Sequence, residues 1–253
     1  MKIFKLNLLL LGIIIISSFG FFTVRYFNRP KYIPPPPREE INITIIPGWN
    51  LRQIAADWVK KGLIKEEKEL FELVGEPAKN YRLLGVKAPI LEWAAIGTLA
   101  ELFSEKSEYV SYEGYFLPET YRVYADAKPE EIVKKIFSVL DNRITREMRA
   151  EVLRQEKSWF DILTMASIVE REARTEKDMK IVADIFWRRN NIKWALQSCA
   201  TVNYITGKND PAISAVDRQI DSFYNTYKYS GLPLGPIGNP SLKAIRHSFS
   251  RKK

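Results

Sequence analysis

One glutamate, Glu170, lies where a carboxylate suits acid–base chemistry better than it suits stability. It belongs to the stretch Trp159–Arg174, which reads WFDILTMASIVEREAR. Apolar residues recur there at alternating spacings of three and four, as on a helix with one buried face: Trp159, Ile162, Ala166, Val169 and Ala173. Glu170 follows at the edge of that face, with the small residues Ala166 and Ala173 as its helical neighbours. A cleft above them would exclude water, and a carboxyl removed from water is driven toward the neutral form that a general acid needs.

One other interpretation of this helix stays open. Glu170 is four residues before Arg174, so it also fits a solvated position that forms an i,i+4 ion pair. Glu172 is two residues further on, about 200° around a helix axis, and it therefore points to a different side. The helix by itself does not supply two facing carboxylates.

The composition restricts the partners that the protein can have. At 253 residues and 46% hydrophobic residues, the chain has material for one or two small domains with real cores. A formal charge of +9 indicates acidic surroundings, such as phospholipid or an anionic polymer. Lys and Arg do not cluster with aromatic residues, so we predict no nucleic-acid partner. With one cysteine and one histidine, we predict no internal disulfide, no metal and no cofactor.

The N-terminus predicts a membrane anchor. Leu6–Val24 carries no charge and is long enough to span a bilayer. We predict that residues 1–27 form a cytoplasmic tail and one transmembrane helix, with the remaining chain outside the cytoplasm, because only a short tail precedes the span. The alternative is a cleaved signal peptide, although its apolar part would be long. Residues 28–40 contain Pro34–Pro37 and are predicted to be an extended linker.

The remaining sequence predicts a mixed α+β fold. Ile41–Ile64 is typical of a strand followed by a helix, with Asn50 as the helix cap and Gly62 as its stop. Apolar spacing predicts further helices at Glu66–Val74, Leu91–Phe103, Pro129–Gln155 and Asp178–Arg189. In the last of these we expect Ile181, Ile185 and Phe186 to face inward.

Two other stretches are predicted to be non-helical. The aromatic stretch Glu113–Val123 fits a strand packed on a core. Tyr224–Pro240 is rich in Gly, Pro and Asn and is predicted to be a loop that lines a cleft.

Four stretches, in order, resemble the MltG/YceG-like endolytic murein transglycosylases. They are EGYFLPETYRV, ASIVEREA, LQSCATVNY and YNTYKYSGLPLGPIGNPSLKAI. The resemblance implies a small LysM-like subdomain with connecting helices over residues 41–112 and a YceG-like catalytic domain over residues 113–253. It also implies a bacterial cell (inner) membrane protein that acts on peptidoglycan glycan strands outside the cytoplasm, in contact with cell-wall synthesis proteins.

The resemblance assigns the catalytic role to Glu170. It implies cleavage of the β-1,4 bond between MurNAc and GlcNAc inside a glycan strand. Glu170 would protonate the glycosidic oxygen and then deprotonate the MurNAc 6-hydroxyl, which closes a 1,6-anhydro ring. Because this nucleophile is intramolecular, one carboxylate serves where ordinary glycosidases use two. The motif positions implied for substrate binding are Gln197, Thr201, Asn225, Thr226 and Tyr227.

The sequence departs from the family pattern at three places. Cys199 replaces the usual Asp, Arg188-Arg189 replaces an Asn-Arg pair, and the chain stops at Lys253, so we expect a catalytic domain truncated at its C-terminus. These departures leave open a catalytically impaired, membrane-anchored scaffold that binds peptidoglycan. A cysteine peptidase built on Cys199 and His247 is the other alternative, and it would need a third group to orient the imidazole.

Overall fold

The structure is a computed structural model that describes Gly20, Arg25, Tyr26 and residues 36–78, 87–94, 97–208 and 212–249. The chain forms two compact units, Met1–Arg38 and Glu39–Lys253, and the elements described below belong to the second. Within the described ranges, no helix is both long enough and apolar enough to cross a membrane. Apart from Gly20, the predicted anchor Leu6–Val24 lies outside the described residues, as do residues 28–35 of the predicted linker.

Two short strands form an antiparallel pair. Strand β1 is Glu40–Thr44 and strand β2 is Thr120–Tyr124, with Ile43 opposite Tyr121. The predicted alternation in β1 is confirmed, because Ile43 is buried between exposed neighbours. The strand predicted over Glu113–Val123 is wrong for its first seven residues. They form an irregular segment, since Gly114 at φ +90° leaves the extended conformation.

The first helix of the described unit, α1, spans Leu51–Lys60 and confirms the predicted strand–helix unit. The side chains of Asn50 and Gln53 form a capping box at its start. One face buries Leu51, Ile54, Ala55 and Trp58. Helix α2 spans Glu67–Val74. Because β1 pairs with β2, the two predicted domains share one sheet, and the boundary at residue 112 stays a prediction.

Two predicted helices are divided in the structure. In place of Leu91–Phe103 there is a 3-10 turn, Glu92–Ala94, and a short helix α3, Thr98–Phe103, which Gly97 precedes at φ +68°. In place of Pro129–Gln155 there are two helices, α4 (Pro129–Arg143) and α5 (Arg146–Arg154). The break falls where Ile144 becomes extended and the Thr145 side chain caps α5.

Helix α6, Trp159–Glu172, is the central element of the fold. It is buried on all sides from Ile162 to Val169 and contacts α3 and the three helices that follow it in the chain. The first of these, α7 (Glu176–Asn191), buries Met179, Ala183, Phe186 and Trp187. The prediction that Ile181 and Ile185 face inward is wrong, since both are exposed. Each lies two residues from Ala183, about 200° around the axis, whereas Phe186 is buried as predicted.

The last part of the chain is mostly irregular. Helix α8 spans Cys199–Thr206, a 3-10 turn covers Asp217–Gln219, and helix α9 spans Leu242–His247. The predicted loop Tyr224–Pro240 is confirmed. It is pinned against the core, with Tyr224, Ile237 and Asn239 buried.

Candidate active site

Glu170 lies in the last turn of α6 and is held by Ser241. The Ser241 backbone N–H donates to Glu170 Oε2 at 2.8 Å and the Ser241 hydroxyl donates to the same oxygen at 2.5 Å. The side chain is half-buried, and within the part of the chain described its Oε1 has no hydrogen-bond partner. No ion pair joins it to the exposed Arg174, although both residues are described. One oxygen is therefore anchored by two donors, whereas the other accepts no hydrogen bond from the described residues.

The surroundings of Glu170 come from distant parts of the chain. The turn at Gly48, which has φ +78°, lies over it so closely that a Cβ there would be 3.7 Å from Glu170 Cγ and 3.3 Å from Arg171 Cδ. The segment that carries Ser241 is also tied to α6 one turn earlier, where the Ile237 N–H donates to Ser167 Oγ at 3.0 Å. The expected neighbours Ala166 and Ala173 are both buried.

Glu172 faces a different group of residues. The Ser198 hydroxyl donates to Glu172 Oε1. Next to Ser198, Cys199 Sγ lies 3.1 Å from the Tyr227 hydroxyl. Burial, with a smaller contribution from Cys199, raises the pKa of Tyr227 to about 12, so this hydroxyl keeps its proton at neutral pH. The two glutamates therefore face different neighbours, as the 200° rotation between them on the helix requires.

The structure brings most of the implied substrate-binding residues together on the Glu172 side. The Gln197 N–H donates to the Thr226 carbonyl at 3.0 Å, and the Ser198 N–H donates to Thr226 Oγ1 at 3.1 Å. The hydroxyls of Thr201 and Thr226 are 2.9 Å apart. These bonds fix the start of α8 against the loop that follows Tyr224.

The five residues differ in what their side chains can reach. The Asn225 side chain is buried and donates to the carbonyls of Arg218 and Ile220. Thr201 and Thr226 are also buried, so in the structure all three stabilise the loop. Gln197 is exposed at φ +59° and Tyr227 is half-buried, so these two side chains are open to a ligand. Their roles in substrate binding stay predictions.

Sequence reasoning missed one carboxylate, Glu113. It is fully buried, and burial raises its pKa to about 7. It accepts hydrogen bonds from the Leu51 N–H, the Asn239 side-chain amide and the Tyr204 hydroxyl. The sequence signal was a charged residue directly before Gly114 in a stretch rich in aromatic residues.

Cys199 and His247 have separate partners. Cys199 contacts Tyr227, whereas His247 Nε2 lies 3.2 Å from Glu176 Oε2 on α7. Both are described residues, and no hydrogen bond joins them. The structure does not bring a thiol and an imidazole together as a cysteine peptidase requires.

Fold and site together define an α+β protein in which backbone and hydroxyl donors of Ser241 hold a glutamate, Glu170, in the last turn of a buried helix. The chain belongs to the YceG-like family, whose model matches residues 30–253. An endolytic murein transglycosylase of Streptococcus pneumoniae D39 is 33% identical over 163 residues, which are 62% of this chain and 29% of that protein. One of Bacillus subtilis 168 is 36% identical over 133 residues, or 52% of this chain and 37% of that protein.

A solved structure shares the fold. The crystal structure of a YceG-like protein from Listeria monocytogenes matches with a TM-score of 0.67 at 27% identity, over 84% of this chain and 67% of that one. The matched regions thus span most of the solved structure and about a third of the length of the two transglycosylases.

Proposed function

We propose that this protein is a lytic transglycosylase. It cleaves the MurNAc-β-1,4-GlcNAc bond inside peptidoglycan glycan strands, leaves 1,6-anhydroMurNAc ends and so terminates glycan elongation. The observation that carries the proposal is Glu170, in the ASIVE motif, with Oε2 anchored by two donors and Oε1 open. Membership of the YceG-like family and the names of the two relatives support it.

The reaction needs one group that gives and then takes a proton. Glu170 protonates the glycosidic oxygen as the bond from MurNAc C1 breaks, and GlcNAc leaves with a 4-hydroxyl. The carboxylate then removes the proton from the MurNAc 6-hydroxyl, whose oxygen bonds to C1 and closes the anhydro ring. The proton returns to Glu170, and no water is consumed. The internal nucleophile makes a second carboxylate unnecessary.

Ser241 keeps Glu170 in place for both steps. A backbone N–H and a hydroxyl on one oxygen fix the plane of the carboxylate, so the other oxygen needs no reorientation between acting as acid and acting as base. Gln197 and Tyr227 contact the glycan or its peptide, while Thr201, Asn225 and Thr226 hold the loop that presents them.

The proposed location is the cell envelope. Residues 1–27 anchor the protein with its N-terminus in the cytoplasm, residues 28–40 form the spacer, and the LysM-like and catalytic regions lie outside. A reporter fused after Lys253 tests whether the C-terminal part lies outside the cytoplasm. A fusion that is active only with a reporter that works in the cytoplasm contradicts the proposed location.

Digestion of polymeric peptidoglycan in oxygen-18 water tests the reaction. We expect mass spectrometry to detect anhydro-terminated fragments without the heavy isotope, because the 6-hydroxyl and not water attacks C1. Labelled reducing ends identify a hydrolase. Binding of the glycan without cleavage supports the alternative function, a catalytically impaired scaffold that binds peptidoglycan.

A further inference from the structure

Glu113 links three elements at the centre of the fold. The Leu51 N–H at the start of α1 donates to both carboxylate oxygens, at 3.1 and 3.0 Å. The Tyr204 hydroxyl from α8 donates to Oε2 at 3.2 Å, and the Asn239 amide donates to Oε1 at 2.9 Å. Neither the proposed reaction nor the family motif reasoning gives this carboxylate a task.

Asn239 extends the link in both directions. Its side-chain oxygen accepts from the N–H groups of Gly114 and Phe116, and its side-chain nitrogen also donates to the Trp49 carbonyl. Its backbone is bonded to Gly48 and Trp49, at 2.9 and 2.7 Å. Every hydrogen-bonding group of this residue is therefore engaged, which fixes its position.

The segments around Asn239 approach without room for side chains. A Cβ on Gly114 would lie 2.6 Å from Pro236, and one on Gly238 would lie 2.8 Å from the Gly48 carbonyl oxygen. Such close packing restricts the Asn239 segment to one position relative to Gly48 and Gly114.

Ser241, two residues after Asn239, contacts the carboxylate of Glu170. Pro240 is buried and its ring fixes φ, so the position of Asn239 restricts where Ser241 can lie. Ser241 in turn supplies both donors to Glu170 Oε2.

We propose that Glu113 is a positioning residue that, through Asn239 and Ser241, sets the orientation of Glu170. Through this link, the orientation of Glu170 depends on how the strand–helix unit β1–α1 packs against the Asn239 segment. Gly48, Trp49 and Leu51 belong to that unit. The catalytic part of the proposal rests on the proposed function, whereas the chain of hydrogen bonds does not.

The charges around Glu113 are few. Burial is the largest effect and raises the pKa of Glu113 from 4.5 to about 7, while the Leu51 N–H, the charge of Arg52 and the Tyr204 hydroxyl lower it. The folded chain therefore holds this proton to a higher pH than the unfolded chain does. The contribution to stability is present below pH 4.5 and is lost as the pH rises through about 7. Glu113→Gln removes this dependence of the free energy of unfolding, which denaturant titration across that range measures.

Asn239→Asp tests the link to catalysis. It keeps the size of the side chain and the oxygen that accepts from Gly114 and Phe116. It replaces the nitrogen that donates to Glu113 and to the Trp49 carbonyl by an acceptor. Two adjoining carboxylates share one proton, and that proton restores a donor as the pH falls. We expect kcat to fall about tenfold at pH near 8, KM to change less than about twofold, and the ratio of variant to wild-type kcat to rise toward acid pH. A ratio that does not change with pH contradicts the proposal.

Hydrogen exchange of the full chain tests the link without activity. We expect the Ser241 amide to exchange about tenfold faster in Asn239→Asp, and about threefold faster in the milder Glu113→Gln, than in the wild type. The matched control is Glu119→Gln, which removes a carboxylate of the same motif that pairs with Arg143 at the surface. It should leave the Ser241 amide unchanged.

The outcomes separate the two proposals. Wild-type exchange of Ser241 in both Asn239→Asp and Glu113→Gln overturns the positioning role. If Asn239→Asp does not fold near pH 8, Glu113→Gln decides alone. A wild-type protein that makes no anhydro ends overturns the proposed function, while faster exchange at Ser241 would still support the link.

Discussion

The last turn of α6 presents two glutamates to two different surroundings. Glu170 receives a backbone N–H and a hydroxyl from Ser241 and lies beneath the turn at Gly48. Glu172 is exposed and receives one hydroxyl, from Ser198. The two residues have the same chemistry and the same helix, yet only one is fixed by backbone from distant segments.

This comparison indicates that a fixed orientation makes a helical carboxylate suitable for acid–base catalysis. A general acid needs one orientation that persists through the reaction. A backbone donor holds the carboxylate in place without any loss of side-chain entropy in the donor. A side-chain hydroxyl on an exposed glutamate gives a weaker restraint. This difference supports the proposal that Glu170 carries the proton transfers, while Glu172 accepts a hydrogen bond from the Ser198 hydroxyl at the start of α8.

The largest expected effect is that of Glu170→Gln. Glutamine keeps the size and can still accept from Ser241, but it neither gives nor takes a proton. We expect wild-type stability and glycan binding, with cleavage reduced about 10²–10⁴-fold or more. Steady-state digestion of purified glycan strands measures the loss, and a melting curve serves as the control for folding. Loss of binding together with cleavage would instead indicate a disrupted site.

Ser241→Ala should have the next largest effect. It removes the hydroxyl donor to Glu170 and the cap of α9, while the backbone donor stays. We expect kcat to fall about tenfold and stability to fall by about 1 kcal/mol. Thr145→Ala is the matched control, because it removes the cap of α5 away from the site. Equal losses of kcat in both variants would show that Ser241 acts on stability alone.

Glu172→Gln should cost much less. Glutamine still accepts from Ser198, so we expect less than about a threefold fall in kcat. Ser198→Ala, which removes the donor, should behave similarly. A loss as large as that of Glu170→Gln would end the distinction between the two sides of the helix.

The smallest effect should come from Cys199. Serine in its place can hydrogen-bond the Tyr227 hydroxyl, so we expect Cys199→Ser to stay within about twofold of wild type. Cys199→Asp, which restores the usual family residue, should be tolerated or improve activity. Complete loss of cleavage in a folded Cys199→Ser protein would indicate thiol chemistry.

Local pattern predicted the elements whose burial follows one periodicity. Strand β1 and helix α1 with its Asn50 cap followed from spacing and capping residues. The stripe predicted for α6 is buried, but so are the residues between its members from Ile162 to Val169, and spacing did not predict that. The same reasoning placed Ile181 and Ile185 on the wrong side of α7. Two apolar stripes about 200° apart compete there, and packing against α6 and α9 selects between them.

The environment of the site was beyond the reach of local pattern. Glu113 can be buried because Leu51 and Asn239 donate hydrogen bonds to it. These residues are 62 and 126 positions away along the chain. Ser241 meets Glu170 across 71 residues. Spacing within a window of one helix carries no information on such contacts, although the motif resemblance had pointed to Glu170 itself.

The central claim is that Glu170 alone carries both proton transfers. The most direct measurement compares the yield of anhydro-terminated fragments from wild type, Glu170→Gln and Glu172→Gln, digested side by side and analysed by mass spectrometry. We predict abundant anhydro ends from wild type and Glu172→Gln and none above background from Glu170→Gln. Substantial anhydro product from folded Glu170→Gln would contradict the account.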